Sequence, residues 1–205
     1  PRIQPDNARA FSQAGIDTYD RLLDGMLEFG LEPFATIFHW DMPVWAGDFR
    51  NRDTAYRMAD YADVLTRRFG DRIPTWALLN EPNSVAFAGY ILGIHAPSLA
   101  SAEAGGAAIH HQNLAAGLMA QAARANLGKN NSVTTTVNLA PMRPSSQRAP
   151  SDSVVEKADD FWNKAFLDPL FGKGYPQSVM PLVFPYIQNG DDKQITFTPD
   201  AIGVN

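Results

Sequence analysis

The sequence contains no cysteine among its 205 residues, so neither disulfide bonds nor thiolate sites are available to it. It has no apolar run close to the roughly 20 residues that a membrane-spanning helix needs. Charged residues make up only 19%, and a net charge of -5 gives no basic surface for nucleic acid. These absences predict a globular protein with neither nucleic acid nor a membrane as its partner.

Two kinds of cofactor site are also missing. The four histidines do not have the spacing of a zinc motif such as HExxH, so we predict no bound metal. The glycine pair Gly105-Gly106 cannot by itself form a phosphate-binding loop, which disfavours the alternative of an α/β redox protein with a dinucleotide. We therefore predict no cofactor.

What the sequence does contain is a regular alternation of helical and strand-like segments. Helical periodicity covers 14–29, 52–69 and 107–127, and a further helix follows residue 153 and stops before Pro169. Continuous apolar or β-branched runs predict strands over 31–40, 75–80 and 132–139, with another beginning at 201. This order predicts right-handed crossovers and a parallel sheet, either doubly wound or part of an eight-stranded barrel.

Polar side chains stand at the carboxyl ends of these predicted strands: His39, Asn80 with Glu81, Asn138, and Asn205. In barrels this edge carries the active site, and Pro82 ends the second strand so that Glu81 lies at its mouth. Glu81 could be a catalytic acid, or it could merely end a strand and cap the next helix.

Two other segments have simpler interpretations. We interpret His110 and His111, which lie in a helix, as hydrogen-bonded structural groups rather than site residues. The segment 83–105 is predicted to be a long functional loop that could hold a short helix.

Five motifs then carry a family resemblance, in this order along the chain: PFATIFHWDMP, LLNEP, GIHAP, FWNKAFLDPLFGKGYP and AIGVN. Together they resemble glycoside hydrolase family 1, the β-glucosidase family of retaining enzymes. The resemblance covers nearly the whole chain. It implies that residues 1–205 are one partial catalytic domain of a (β/α)8 TIM barrel, covering approximately strands 3 to 6, with strands 1–2 and 7–8 missing.

The resemblance also implies roles for individual residues. Glu81 would be the general acid/base, which requires a raised pKa while its partner carboxylate is ionised. Asn80 and His39 would bind sugar hydroxyls of a β-glucoside or related β-glycoside, and Trp40 would shape the glycone pocket. Asn138 and Asn205 are further candidate substrate-binding residues, expected there from their places at strand ends.

Two departures from the family limit these expectations. Asn83 stands where the family often has tryptophan, so the resemblance does not extend to an aromatic platform for the aglycone. The nucleophile motif TENG is not in this sequence, and retaining hydrolysis needs two carboxyl groups. We therefore expect the chain alone to be inactive, with a non-catalytic sugar-binding or structural remnant as the alternative.

The partial barrel and the first residue of the chain lead to expectations about assembly and cellular location. An open half-barrel exposes two sheet edges, so self-association is expected. Pro1 does not begin a signal peptide, and we expect the true N-terminus to lie before it. The location stays open, with the cytoplasm favoured.

Overall fold

The computed structural model describes residues 2–6, 10–144 and 152–205. Within these ranges four strands form one sheet in the order β1-β2-β3-β4, with every neighbouring pair parallel. The strands are β1 (Phe34–Phe38), β2 (Thr75–Asn80), β3 (Ser132–Val137) and β4 (Ala201–Val204). The predicted parallel sheet is therefore confirmed, and it forms a single run of adjacent strands.

One helix precedes β1, and the others lie in the connections between the strands. The helices are α1 (Gln13–Glu28), α2 (Asp53–Phe69), α3 (Pro82–Ser84), α4 (Ala102–Asn126), α5 (Asp152–Asp159), α6 (Ala165–Leu170), α7 (Met180–Val183) and α8 (Asp191–Ile195). Single-turn and π-helical segments at 44–46, 85–91, 160–164 and 184–186 extend several of them. The main core lies between the sheet and helices α2 and α4, and α4 is buried along most of its length.

Local sequence signals account for the first two helices. The Ser12 hydroxyl accepts a hydrogen bond from the Gly15 amide at the start of α1, and Gly30 follows its end with a φ of +70°. In α2 the Asn51 side chain accepts from the Asp53 amide, and the apolar stripe that ends at Phe69 is buried. Both helices match their predicted ranges within one residue.

The segment after β2 differs from the predicted loop. Residues 82–91 are helical, first as α3 and then as a π-helical stretch, and α4 begins at Ala102 rather than near 107. Gly89 suits this arrangement because a Cβ there would lie 2.5 Å from the Ala96 carbonyl oxygen. The part of the segment without regular structure is therefore only about ten residues, 92–101.

A second difference concerns Pro169, before which the helix was predicted to stop. Helical structure continues through Leu170, with Pro169 inside α6. Proline has no amide hydrogen to donate to the carbonyl four residues earlier, which is that of Ala165. The Asn113 side chain of α4 donates to this carbonyl instead, at 2.9 Å. A tertiary contact thus replaces the missing helical hydrogen bond.

The outer strands differ from the inner ones in burial. Nearly every residue of β2 and β3 is buried, whereas β1 and β4 are mostly half-buried or exposed. Phe34 at the start of β1 is 59% exposed. Among the strands that the structure describes, β1 and β4 each have a neighbour on one side only, so the sheet has two open edges, as expected for part of a barrel.

Candidate active site

Glu81 follows β2 at the point where the strand's regular pairing is already disturbed. Between Ala77 and Asn80 β2 advances three residues while β3 advances two, which makes a β-bulge. Glu81 itself has φ 47° and ψ 60°, a left-handed conformation that costs a non-glycine residue roughly 1–3 kcal/mol. Pro82 then begins α3. Strand end, bulge and turn together aim the Glu81 side chain across the carboxyl edge of the sheet.

Three side chains donate hydrogen bonds to the Glu81 carboxylate. The Ser84 hydroxyl donates to Oε2 at 2.7 Å, and the Asn138 amide donates to the same oxygen at 3.3 Å. The Asn205 amide donates to Oε1 at 2.7 Å. Asn138 follows β3 and Asn205 follows β4, so residues at the carboxyl ends of three adjacent strands meet at this one carboxylate.

The pKa of Glu81 reflects two opposing effects. Partial burial raises this pKa. The hydrogen bonds from Ser84, Asn205 and Asn138, together with the nearby His39, lower it by more than burial raises it, so the pKa of Glu81 lies below its usual value. Among the described residues no carboxylate is a hydrogen-bond partner of Glu81. This differs from the raised pKa that the family resemblance implied, because that value needs a second ionised carboxylate beside the first.

The side chain of Asn80 links the neighbouring strand ends into the same network. Its Oδ1 accepts from the Asn205 amide at 3.2 Å, so its Nδ2 is the donor towards His39 Nε2, also at 3.2 Å. The indole of Trp40 donates to the Asn80 carbonyl oxygen at 3.0 Å. Trp40 resembles Glu81 in having a positive φ, here +74°, at a strand exit.

The structure thus brings together all six site residues predicted from the sequence: His39, Trp40, Asn80, Glu81, Asn138 and Asn205. Sequence reasoning missed two neighbours. Ser84 contacts Glu81 because α3 places the two residues one turn apart. A helical spacing of three residues would have indicated this contact, but the segment was predicted to be a loop. His95, in the segment after the π-helical stretch, packs its ring 5.4 Å from the Trp40 ring.

His110 and His111 lie elsewhere, as structural groups in α4. His111 Nδ1 is 2.7 Å from the Phe49 carbonyl oxygen, and His110 is fully buried. His110 Nε2 is 2.8 Å from Asp191 Oδ2 and its Nδ1 is 3.0 Å from the Tyr175 hydroxyl. Their interpretation as hydrogen-bonded structural residues is confirmed.

The partners of His110 fix its protonation. Burial lowers the pKa of His110 more than the nearby Asp191 raises it, which favours the neutral ring. The Asp191 carboxylate can only accept, so His110 Nε2 carries the hydrogen and Nδ1 accepts from Tyr175. Arg52, the residue directly before α2, also pairs with Asp191, so this network joins the start of α2 to α4 and α8.

Among the residues that the structure describes, no helix is long and apolar enough to cross a membrane. In residues 2–6, 10–144 and 152–205, no group of three or more His, Asp or Glu side chains is placed to hold a metal ion.

The fold and this edge of polar side chains are those of an α/β barrel protein with a carboxylate-centred site, and comparison with known proteins identifies the family. The family described as Glycosyl hydrolase family 1 matches residues 1–205. The chain is 35% identical over its full length to a bifunctional β-D-glucosidase/β-D-fucosidase from Bifidobacterium breve, covering 46% of that protein. It is 32% identical over its full length to β-glucosidase A from Thermotoga maritima, covering 47%. The chain belongs to glycosyl hydrolase family 1.

Solved structures agree with this assignment. A psychrophilic β-glucosidase from Micrococcus antarcticus matches 96% of the chain with a TM-score of 0.89 and 33% identity. A β-glucosidase from Thermotoga maritima in complex with deoxynojirimycin matches 100% of the chain with a TM-score of 0.89 and 31% identity. The chain covers 44% and 47% of these two structures. It therefore forms part of the family's barrel and spans about half the length of the relatives it matches.

Proposed function

We propose that this chain contributes to a retaining β-glycosidase that hydrolyses β-glucosides or related β-glycosides, with Glu81 as general acid/base. The similar proteins named above are β-glucosidases, and one was solved with deoxynojirimycin. In this proposal residues 1–205 are one part of the catalytic barrel, and the substrate is a small β-glycoside or oligosaccharide.

The observation that carries the proposal is the convergence on Glu81. A carboxylate in a left-handed turn at a strand exit receives hydrogen bonds from the exits of two further strands. Amide and imidazole groups of Asn80 and His39 lie beside it, and such groups bind sugar hydroxyls. A backbone strained at the mouth of a barrel strand is typical of a residue held for chemistry.

We further propose that residues 1–205 do not turn over substrate by themselves. Retaining hydrolysis uses two carboxyl groups about 5–5.5 Å apart, one protonated and one acting as nucleophile. In the described part of the chain, all hydrogen-bond partners of Glu81 are neutral groups, and they favour its ionised form. A second carboxylate would have to approach from a segment outside these residues, and its charge would raise the pKa of Glu81 as an acid catalyst requires.

The test compares Glu81→Gln with the original protein, in the full-length product of the gene, on aryl β-glucosides whose leaving groups differ in pKa. We expect Glu81→Gln to lose about 10²–10⁴-fold in kcat/KM with a poor leaving group, and much less in kcat/KM with a dinitrophenol that needs no proton. Glu103→Gln is the matched control, because this side chain is exposed and none of the three hydrogen bonds to the Glu81 carboxylate involves it. An equal loss for all leaving groups would contradict the acid role.

We also propose that the isolated chain self-associates through the open edge of β1. A cavity of about 630 Å³ runs along this edge between β1 and α1, and Phe34 beside it is exposed. Unpaired strand edges with apolar surface pair with other chains, and a charge on such an edge prevents it. Sedimentation should show oligomers of the 205-residue chain that Phe34→Lys reduces, and a purely monomeric chain would refute the proposal.

A further inference from the structure

Asn83 is almost completely buried, at 1% exposure, although it lies only two residues after Glu81. It therefore offers no surface to a ligand, and it does not take the place of an aromatic platform. Its side chain points instead at the backbone that follows β3. The Nδ2 donates to the Asn138 carbonyl oxygen at 2.7 Å and to the Trp162 carbonyl oxygen at 3.3 Å.

The same side chain also receives a hydrogen bond from the residue that it holds. The Asn138 amide donates to Asn83 Oδ1 at 3.4 Å, so one side chain contacts both the amide and the carbonyl of Asn138. The Trp162 indole donates to the Asn138 carbonyl as well, at 2.7 Å. The backbone of Asn138 is thus fixed from two elements just where β3 has ended.

The fixed backbone determines where the Asn138 side chain can reach. Its Nδ2 donates to Glu81 Oε2 at 3.3 Å and to the Ser84 hydroxyl at 3.4 Å. These contacts are long, so a small displacement of the Asn138 backbone would break them. The Ser84 contact to the same carboxylate oxygen is short, at 2.7 Å, and does not depend on Asn138.

We propose that Asn83 is a positioning residue that acts on Glu81 through Asn138, holding the Asn138 amide against the carboxylate. Its importance for catalysis rests on the proposed role of Glu81, but the coupling itself is a property of the carboxylate. A merely structural Asn83 would contribute to stability without affecting Glu81.

The experiment measures the titration of the Glu81 carboxylate by NMR of glutamate side-chain carbons. The sequence has five glutamates, and the signal lost in Glu81→Gln assigns Glu81. We expect Asn83→Ala and Asn138→Ala to raise the Glu81 pKa by the same amount, because each removes the same hydrogen bond to the ionised form. The double variant should show no further rise.

Asn113→Ala is the matched control, because this buried amide also holds a backbone carbonyl but does not contact Glu81. It should destabilise the protein and leave the Glu81 titration unchanged. If Asn83→Ala does not fold, Asn83→Ser replaces it, since a hydroxyl cannot reach both carbonyls. The proposal is overturned if the Asn83 variant leaves the Glu81 pKa unchanged, or if the effects of the two substitutions add.

The titration separates this proposal from the proposed function. Suppose that Asn83→Ala shifts the Glu81 pKa, but Glu81→Gln hydrolyses all the aryl β-glucosides as the original protein does. The coupling between Asn83 and Glu81 would then stand, and the catalytic role of Glu81 would be rejected. An unshifted pKa together with the expected leaving-group series would reject only the positioning role of Asn83.

Discussion

Replacing Asp191 with asparagine should destabilise the protein strongly. The side chain of Asp191 is only 1% exposed and accepts from Arg52, His110 and the backbone amide of Gln188. Asparagine has the same shape but no charge, and its amide group would face donors. The half-buried guanidinium of Arg52 would then lose its counter-ion.

The magnitude follows from the pKa of Asp191. Burial alone would raise this pKa, but the hydrogen bonds from Arg52, Gln188 and His110 lower it from 3.8 to about 2. At about 1.4 kcal/mol per pKa unit this corresponds to about 2 kcal/mol of folding free energy at neutral pH. The whole cost of breaking a buried ion pair is about 3–5 kcal/mol, a figure that includes the contribution seen in the pKa and also the cost of leaving Arg52 unpaired. Arg52 keeps 16% exposure, so we expect about 3 kcal/mol in total.

The assay is urea denaturation at pH 7, followed by tryptophan fluorescence, for Asp191→Asn and Asp192→Asn. Asp192 is the exposed neighbour in the same short helix, and its replacement should change stability by less than about 0.5 kcal/mol. Because the folded pKa of Asp191 is depressed, its stabilisation is present above pH 3.8 and is lost as the pH falls towards 2. The difference between the original protein and Asp191→Asn should therefore shrink over that interval.

Two results would refute this reasoning. One is a loss below about 1 kcal/mol for Asp191→Asn at pH 7, which would mean that the network contributes no more than an exposed ion pair. The other is an equal loss in Asp192→Asn, which would point to the short helix rather than to the buried carboxylate.

Substitutions at Asn113 and Gly117 test the packing around α4, and changes at Pro169 and Gly25 serve as their comparisons. Asn113→Ala should cost about 1–3 kcal/mol in denaturation experiments, because the Ala165 carbonyl loses its donor. Adding Pro169→Ala should recover part of this loss, because alanine supplies an amide hydrogen to the same carbonyl. No recovery would contradict the account of α6. Gly117→Ala should cost about 1–3 kcal/mol or more because its Cβ would lie 1.9 Å from a carbonyl oxygen of α8. Gly25→Ala in α1, which meets no atom within 4 Å, should instead stabilise by about 0.5–1 kcal/mol, and similar effects at both glycines would be inconsistent with this packing.

The strand exits could be predicted because their signals are local. Buried parallel strands are continuous apolar runs, and the proline after Glu81 ends β2 at the predicted residue. In a parallel sheet the carboxyl ends of neighbouring strands share one edge, so the meeting of Glu81, Asn138 and Asn205 follows from topology.

The parts that could not be predicted depend on contacts between distant segments. The helical structure after Glu81 contains a glycine and a π-helical stretch, which weaken its periodicity, and the loop prediction therefore missed Ser84. Pro169 is a local signal to stop a helix, and only the Asn113 amide from another helix overrides it. The hydrogen bonds of Asn83 likewise join residues that are 55 and 79 positions apart in the sequence, so no local pattern predicts them.

The central claim is that Glu81 is the acid/base of a retaining β-glycosidase, and azide tests it most directly. In Glu81→Ala of the full-length protein, water attacks the glycosyl-enzyme slowly because no base activates it, whereas azide needs no base. We predict that azide accelerates turnover of a dinitrophenyl β-glucoside by Glu81→Ala and yields the β-configured glycosyl azide. No acceleration, or a product of the α configuration, would contradict the assignment of Glu81.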